Sequence, residues 1–215
     1  MEELMEKTKD ALTGLTSGSG LNSEMEMLIA RGGDFTYAML DIDMLSVINR
    51  DFGHEAGDAV FKAVAKHLST VFNSPCMLFR DIRDEFDILM PGISREEAFL
   101  KAEEARKLIH GEKLDFNSSD GKALSQSVSI GISSFPDDGN RPADIVRRAQ
   151  SAMVRAKKNG RNQVCLAREE KLIPKTSHYT SAQLEKLKVI AEKEKTGEAV
   201  LLREALDDLL RKYDE

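Results

Sequence analysis

Apolar residues along this chain fall into short unbroken runs and longer helical spacings, and the two alternate. Tyr37-Ala38-Met39-Leu40, Met77-Leu78-Phe79 and Ile88-Leu89-Met90 are runs of strand length set between turn residues, the signature of buried strands. The pattern predicts strands near 37–40, 76–80, 85–90, 127–133 and 163–166. Helical spacing predicts helices over 24–30, 58–71, 94–109 and 143–159, and Ser94 with Glu97 three residues on has the capping-box spacing that starts one of them. Residues 1–12 read as the end of a helix, and 13–22, rich in Gly, Ser and Thr, as a loop. Arg31-Gly32-Gly33-Asp34 reads as a turn feeding the first strand, 117–121 as a polar loop and 136–139 as a tight turn.

Chemistry enters where the strands end. The first apolar run is followed by Asp41-Ile42-Asp43, and Asp84-Glu85 lies between two later runs. Carboxylates at adjoining strand ends suit a divalent metal that is itself holding phosphates, because Mg²⁺ takes one or two carboxylates and leaves its other positions to phosphate oxygens and water.

These residues carry a family resemblance. Asp41-Ile42-Asp43 through Asn49, Gly53-His54, Gly57-Asp58 and Arg80 with Asp84-Glu85-Phe86 resemble the GGDEF (diguanylate cyclase) family in order and spacing. Asp10 with Leu12-Thr13-Gly14-Leu15, Ser129-Ile130-Gly131-Ile132, and Ala156-Lys157 with Gly160-Arg161-Asn162 extend the likeness over about 10–166. The resemblance implies an α+β domain, ferredoxin-like or palm-like, with an antiparallel sheet and helices on one face. It implies Mg²⁺ (or Mn²⁺) with GTP, the metal on Asp41, the Ile42 carbonyl and Asp84, and the nucleotide near Leu45, Ser46, Asn49, Asp58, Lys157 and Arg161. Asn49 and Asp58 would read guanine, while Lys157 and Arg161 would clamp phosphate; Asp84 and Glu85 would be catalytic in an active enzyme. Taken alone, Asn49 is more often a helix cap, Asp43 is fairly read as an exposed strand-end carboxylate, and Lys157 with Arg161 is as readily a solvated basic helix end.

The signature departs from the family pattern in ways that bear on turnover. Ile82-Arg83 stands where the family has Gly-Gly, Ser46 where active members carry a lysine, Arg50 where they carry an acidic residue, and Asn73-Ser74-Pro75-Cys76 where the product-feedback motif belongs. A lost cation near developing phosphoryl charge lowers the rate. The expectation is therefore a catalytically impaired GTP receptor, with Arg83 reaching a phosphate. The rivals are an active cyclase that joins two GTP into cyclic di-GMP and a scaffold that binds neither nucleotide nor DNA.

Composition and the C-terminal pattern complete the picture. The chain has 215 residues, 41% of them hydrophobic, which suits a domain over 1–168 and a small appendix over 169–215. A net charge of −6 gives no global attraction to nucleic acid, so any DNA contact must be local. Its two cysteines, Cys76 and Cys165, read as small thiols of a reducing cytoplasm, and no apolar run is long enough to cross a membrane. In the appendix, a short strand over 174–179, a helix starting at Thr180-Ser181 and a second helix over 198–213 resemble the ribbon-helix-helix family of dimeric repressors. That resemblance implies a homodimer and DNA contacts from Lys175, Thr176, His178, Lys195, Thr196 and Gly197. Nucleotide is then expected to bias DNA binding.

Overall fold

The computed structural model describes residues 9–80, 84–114, 124–167, 177–194 and 197–213. The elements run β1 (Thr16–Ser17), α1 (Leu21–Ala30), β2 (Phe35–Ile42), α2 (Leu45–Phe52), α3 (His54–Val71), β3 (Met77–Arg80), β4 (Glu85–Pro91) and α4 (Arg95–Gly111). They continue with β5 (Lys113–Leu114), β6 (Leu124–Ser125), β7 (Val128–Phe135), α5 (Pro142–Lys158), β8 (Val164–Leu166), α6 (Ser181–Glu194) and α7 (Glu198–Tyr213). Two compact units result, residues 1–169 and 170–215.

The first unit is built on a six-stranded sheet ordered β1-β3-β4-β2-β7-β8, with β5 and β6 forming a separate two-stranded pair. The four middle strands are antiparallel neighbours, but β1 joins β3 and β8 joins β7 in parallel. The sheet is therefore mixed, and the expectation of a purely antiparallel sheet fails at both edges. Helices cover both faces, which corrects the one-sided arrangement. All eight residues of β2 are buried, so neither of its faces meets water, and successive side chains of a strand point to opposite sides. Ala38, Leu40 and Ile42 pack with Val60, Val64 and Leu68 of α3 and Ala98, Ala102 and Ala105 of α4. Phe35, Tyr37 and Met39 pack with Met25 of α1 and Ile145, Ala149 and Met153 of α5. Asp41 continues the second set, so alternation brings its carboxylate to the α5 side.

Local chemistry accounts for several boundaries. Ser94 caps α4 as its spacing predicts, its hydroxyl accepting the Glu97 amide at 3.2 Å. The α3 helix begins at His54, four residues before the predicted 58, because Gly53 at φ 86° makes the break that separates it from α2. Gly57 and Asp58 accordingly lie in the early turns of a helix. Lys9 bridges Thr16 and Ala11–Thr13 form a turn, so the described part of 1–12 is not helical. Asp10 organises this turn: its Oδ1 accepts the Thr13 amide at 2.8 Å and Arg80 Nη1 at 2.7 Å. The Arg80 guanidinium also lies 4.0 Å over the Phe61 ring. Burial raises the Asp10 carboxyl, but the hydrogen bonds from Thr13 and Arg80 outweigh it and hold the group below its ordinary value. Cys76 and Cys165 are half-buried and form no disulfide. Among the described residues no helix is long and apolar enough to cross a membrane.

Among the described residues the second unit consists of α6 and α7. Thr180 and Gln183 cap α6 reciprocally, the Thr180 Oγ1 accepting the Gln183 amide at 3.3 Å and Gln183 Oε1 accepting the Thr180 amide at 2.9 Å. The predicted strand at 174–179 is not formed over Ser177–Tyr179, and its earlier residues lie outside the described ones. Leu184, Val189 and Ile190 on α6 and Leu206 and Leu209 on α7 are each 44–60% exposed.

Candidate functional site

The site lies where β2 and β4 end together. Asp41 stands opposite Glu85 across the strand pair, and the Ile42 amide donates to the Asp84 carbonyl at 3.4 Å. Asp41 is buried, Glu85 half-buried and Asp84 exposed. Lys157, near the C-terminus of α5, places its Nζ 2.6 Å from Asp41 Oδ2. Burial pushes the Asp41 carboxyl up to about 6; Lys157 opposes the rise, and the charges of Asp84 and Glu85 add to it. Among the described residues no group of three or more His, Cys, Asp or Glu side chains converges on a metal position. Two carboxylates, Asp41 and Asp84, with the Ile42 carbonyl match what Mg²⁺ needs only if phosphate oxygens and water complete its shell.

The α2 helix starts directly beyond this edge. Met44, at φ 58°, turns the chain out of β2, and Leu45 and Ser46 open the helix. The first amides of a helix have no acceptor within it and favour phosphate oxygens. The Leu45 side chain is 8% exposed and belongs to the core, so only its backbone can serve a ligand. Ser46 is exposed. Arg50 turns away to Asp51, at 2.8 Å.

On the next turn of α2, Asn49 holds its Oδ1 buried and, among the described residues, without a hydrogen-bond partner. Gly57 of α3 makes this possible, because a Cβ there would meet that oxygen at 2.0 Å. A buried acceptor without a donor is rare enough to need an explanation. A planar donor edge is what that oxygen could accept from, and Asp58 lies exposed one residue beyond Gly57. The reading of Asn49 as a plain helix cap fails, since it lies inside α2 (Leu45–Phe52) and leaves its oxygen unused.

The chain leaves α5 through an unusual turn. Gly160, Arg161 and Asn162 all have positive φ, at 111°, 64° and 48°, and the Arg161 side chain is exposed while its amide caps the helix at the Ala156 carbonyl, 3.0 Å away. The fold therefore brings Asp41, Asp84, Glu85 and Lys157 to one strand end, Asn49 and Asp58 to the α2–α3 junction, and Arg161 to the turn behind Lys157. Arg83 lies outside the described residues, as do Lys175, Thr176, Lys195 and Thr196; His178 and Gly197 are exposed.

Asp43 is a correction to the reading by sequence. It is 5% exposed rather than a solvated strand-end carboxylate. Its Oδ1 accepts Ser129 Oγ at 2.7 Å, and its Oδ2 accepts Ser127 Oγ at 2.8 Å and the Asn162 amide at 3.0 Å. Its partners come together only in the fold: Ser129 lies on β7 opposite Asp41, and Ser127 directly precedes that strand.

Comparison with known proteins agrees with this geometry. Residues 7–163 match the family described as diguanylate cyclase, GGDEF domain. Diguanylate cyclase DgcP of Pseudomonas aeruginosa is 37% identical over 163 residues, 74% of this chain and 24% of that protein. Diguanylate cyclase A of Treponema denticola is 35% identical over 130 residues, 60% of this chain and 34% of that protein. The chain thus spans a quarter to a third of the length of these curated relatives. Among solved structures, the GGDEF domain of DgcB from Caulobacter crescentus, in complex with c-di-GMP, superposes with a TM-score of 0.68 at 26% identity, covering 74% of this chain and 95% of that one. Strand order, carboxylate placement and sequence lead to one assignment: the chain belongs to the GGDEF diguanylate cyclase domain family.

Proposed function

We propose that the first unit takes up GTP with a divalent cation at the β2–β4 edge, and that two copies join two GTP into cyclic di-GMP slowly. The observation that carries the reading is the partnerless Asn49 Oδ1 beside Gly57, an acceptor set for a base at the helix that continues the acidic strand. The cation would rest on Asp41, the Ile42 carbonyl and Asp84, where it would neutralise phosphate charge. Lys157 and Arg161 would meet the phosphates, and Glu85 would stand beside the reacting group. Its relatives' names support the cyclase reaction. Ser46 is what makes it slow, because an exposed hydroxyl at the start of α2 supplies no positive charge to the transferring phosphoryl group.

A second reading, a receptor that binds GTP and does not turn it over, is favoured by the same Ser46 together with Ile82-Arg83 in the signature. Incubating the protein with GTP and Mg²⁺ or Mn²⁺, with chromatography of products alongside a calorimetric titration, separates the two. Cyclic di-GMP is expected, with Ser46→Lys raising its rate about tenfold, a modest share of what one charge-stabilising donor contributes. Binding without product from either protein leaves the receptor. No binding removes both.

For residues 170–215 our reading is a homodimerisation segment of ribbon-helix-helix type that presents its ribbon to DNA, with nucleotide shifting the affinity. It is supported by the capped start of α6 and by apolar side chains of α6 and α7 that one chain leaves uncovered; so small a segment gains a core by pairing. Sedimentation equilibrium is expected to give a dimer whose assembly is lost in a Leu184→Glu, Ile190→Glu variant, and a monomeric wild type would end this reading. Fluorescence anisotropy with duplex DNA tests the ribbon; an affinity unaltered by GTP removes the coupling.

A further inference from the structure

We propose that Asp43 is a positioning residue, which pins the turn carrying Arg161 to the acidic end of β2 so that the cation meets the phosphates in a fixed place. The inference rests on the reading above that this site takes GTP. Asp41 and Asp43 are two residues apart at one strand end, yet the structure gives them different partners. Asp41 faces Lys157. Asp43 engages both carboxylate oxygens with three donors, Ser127 Oγ, Ser129 Oγ and the Asn162 amide, and its own amide donates to the Ser127 carbonyl at 2.9 Å. With both oxygens occupied and 5% exposure, it stands outside the metal-binding set.

The turn needs such a partner. Arg161 and Asn162 are non-glycine residues at φ 64° and 48°, a region that L-residues hold only when their surroundings fix them. Arg106 Nη1 donates to Asn162 Oδ1 at 2.9 Å and Gln163 Nε2 to the Arg161 carbonyl at 3.2 Å, but both donors belong to long side chains. Gln163 joins β7 through its carbonyl, which accepts the Ile130 amide at 3.0 Å, and among the described residues Asp43 is the side chain that ties the Asn162 amide to the end of β2. Asn162 is adjacent to Arg161, so releasing its amide frees the backbone that aims the guanidinium.

The test uses the full chain with Asp43→Ala and Asp43→Asn, reading amide exchange over 159–163 and the affinities for GTP and for guanosine, which has no phosphate. Asp43→Ala is expected to speed exchange in this turn while β2 and β7 stay protected, and to weaken GTP about tenfold with guanosine unchanged, the worth of a charge-assisted contact. Arg161→Ala is expected to weaken GTP in the wild type and to add nothing in the Asp43→Ala background. Asparagine keeps an acceptor for the Asn162 amide, and serine oxygens can accept its NH₂ group, so Asp43→Asn is expected to restore both readouts. If Asp43→Ala does not fold, Asp43→Ser, too short to reach Asn162, takes its place with the same expected outcome. Unchanged exchange in the turn overturns the inference, as does equal weakening of GTP and guanosine. If the wild type binds no GTP, the nucleotide reading falls by itself, and accelerated exchange over 159–163 still upholds Asp43 as the pin of the turn.

Discussion

Gly131→Val is expected to cost the domain about 3 kcal/mol or more, or to prevent it from folding, with guanidinium denaturation as the measure. Gly131 lies in β7 facing α5, where a Cβ would sit 2.0 Å from the Ala149 carbonyl oxygen and 2.4 Å from the Met153 amide nitrogen. Both are backbone atoms of a helix, so no side chain can swing aside and the helix itself must lift from the sheet. Ala149, Ala152 and Ala156 show how close the approach is, since each is buried with no exposed surface. Lifting α5 would also carry Lys157 away from Asp41 and the Arg161 turn away from Asp43, so any folded remnant should lose the site along with its stability. Gly111→Ala is the control. Gly111 ends α4 with nothing within 4 Å of an added Cβ, and alanine there should leave stability intact or raise it slightly.

The contrast between these glycines also marks how far local sequence patterns reach. The strand at 37–40, the carboxylates beyond it and the Ser94 cap are local features, decided by neighbours in sequence, and the fold respects each of them. Gly57 and Gly131 act at contacts that no local pattern announces: one clears room for Asn49 on the preceding helix, the other for a helix that follows β7. Asp43 illustrates the same limit, because its serine partners are 84 and 86 residues away and Asn162 is 119 away. The parallel edges of the sheet are hidden for a related reason. β1, two residues long, is too short for alternation to register, and β8, though its span is legible near 163–166, takes its parallel pairing from the strand it joins. In the second unit the two helices are legible from their caps and apolar spacing, whereas the short strand expected over 174–179 is not formed over Ser177–Tyr179.

Lys157→Met is expected to move two affinities in opposite directions, weakening GTP by roughly 10- to 100-fold, the worth of one hydrogen bond to a charged group, while strengthening the binding of Mn²⁺ alone. The ammonium of Lys157 is 2.6 Å from Asp41 Oδ2 and is the cation that Asp41 holds in this structure. A divalent ion approaching without nucleotide must displace it, and methionine, similar in length and uncharged, removes that competition. With GTP present the balance reverses, since phosphate oxygens give Lys157 a new acceptor that methionine cannot serve. Losing the ammonium also leaves Asp41, 7% exposed, beside Asp84 and Glu85 with no compensating charge, and breaking such a pair is costly. The metal-free variant should therefore melt below the wild type, and Mn²⁺ should raise its melting temperature by more than it raises that of the wild type. Electron paramagnetic resonance of free Mn²⁺ and calorimetry with GTP give the two affinities independently. If Mn²⁺ binds both proteins equally, Lys157 does not guard the metal position, and its pairing with Asp41 is a structural contact only.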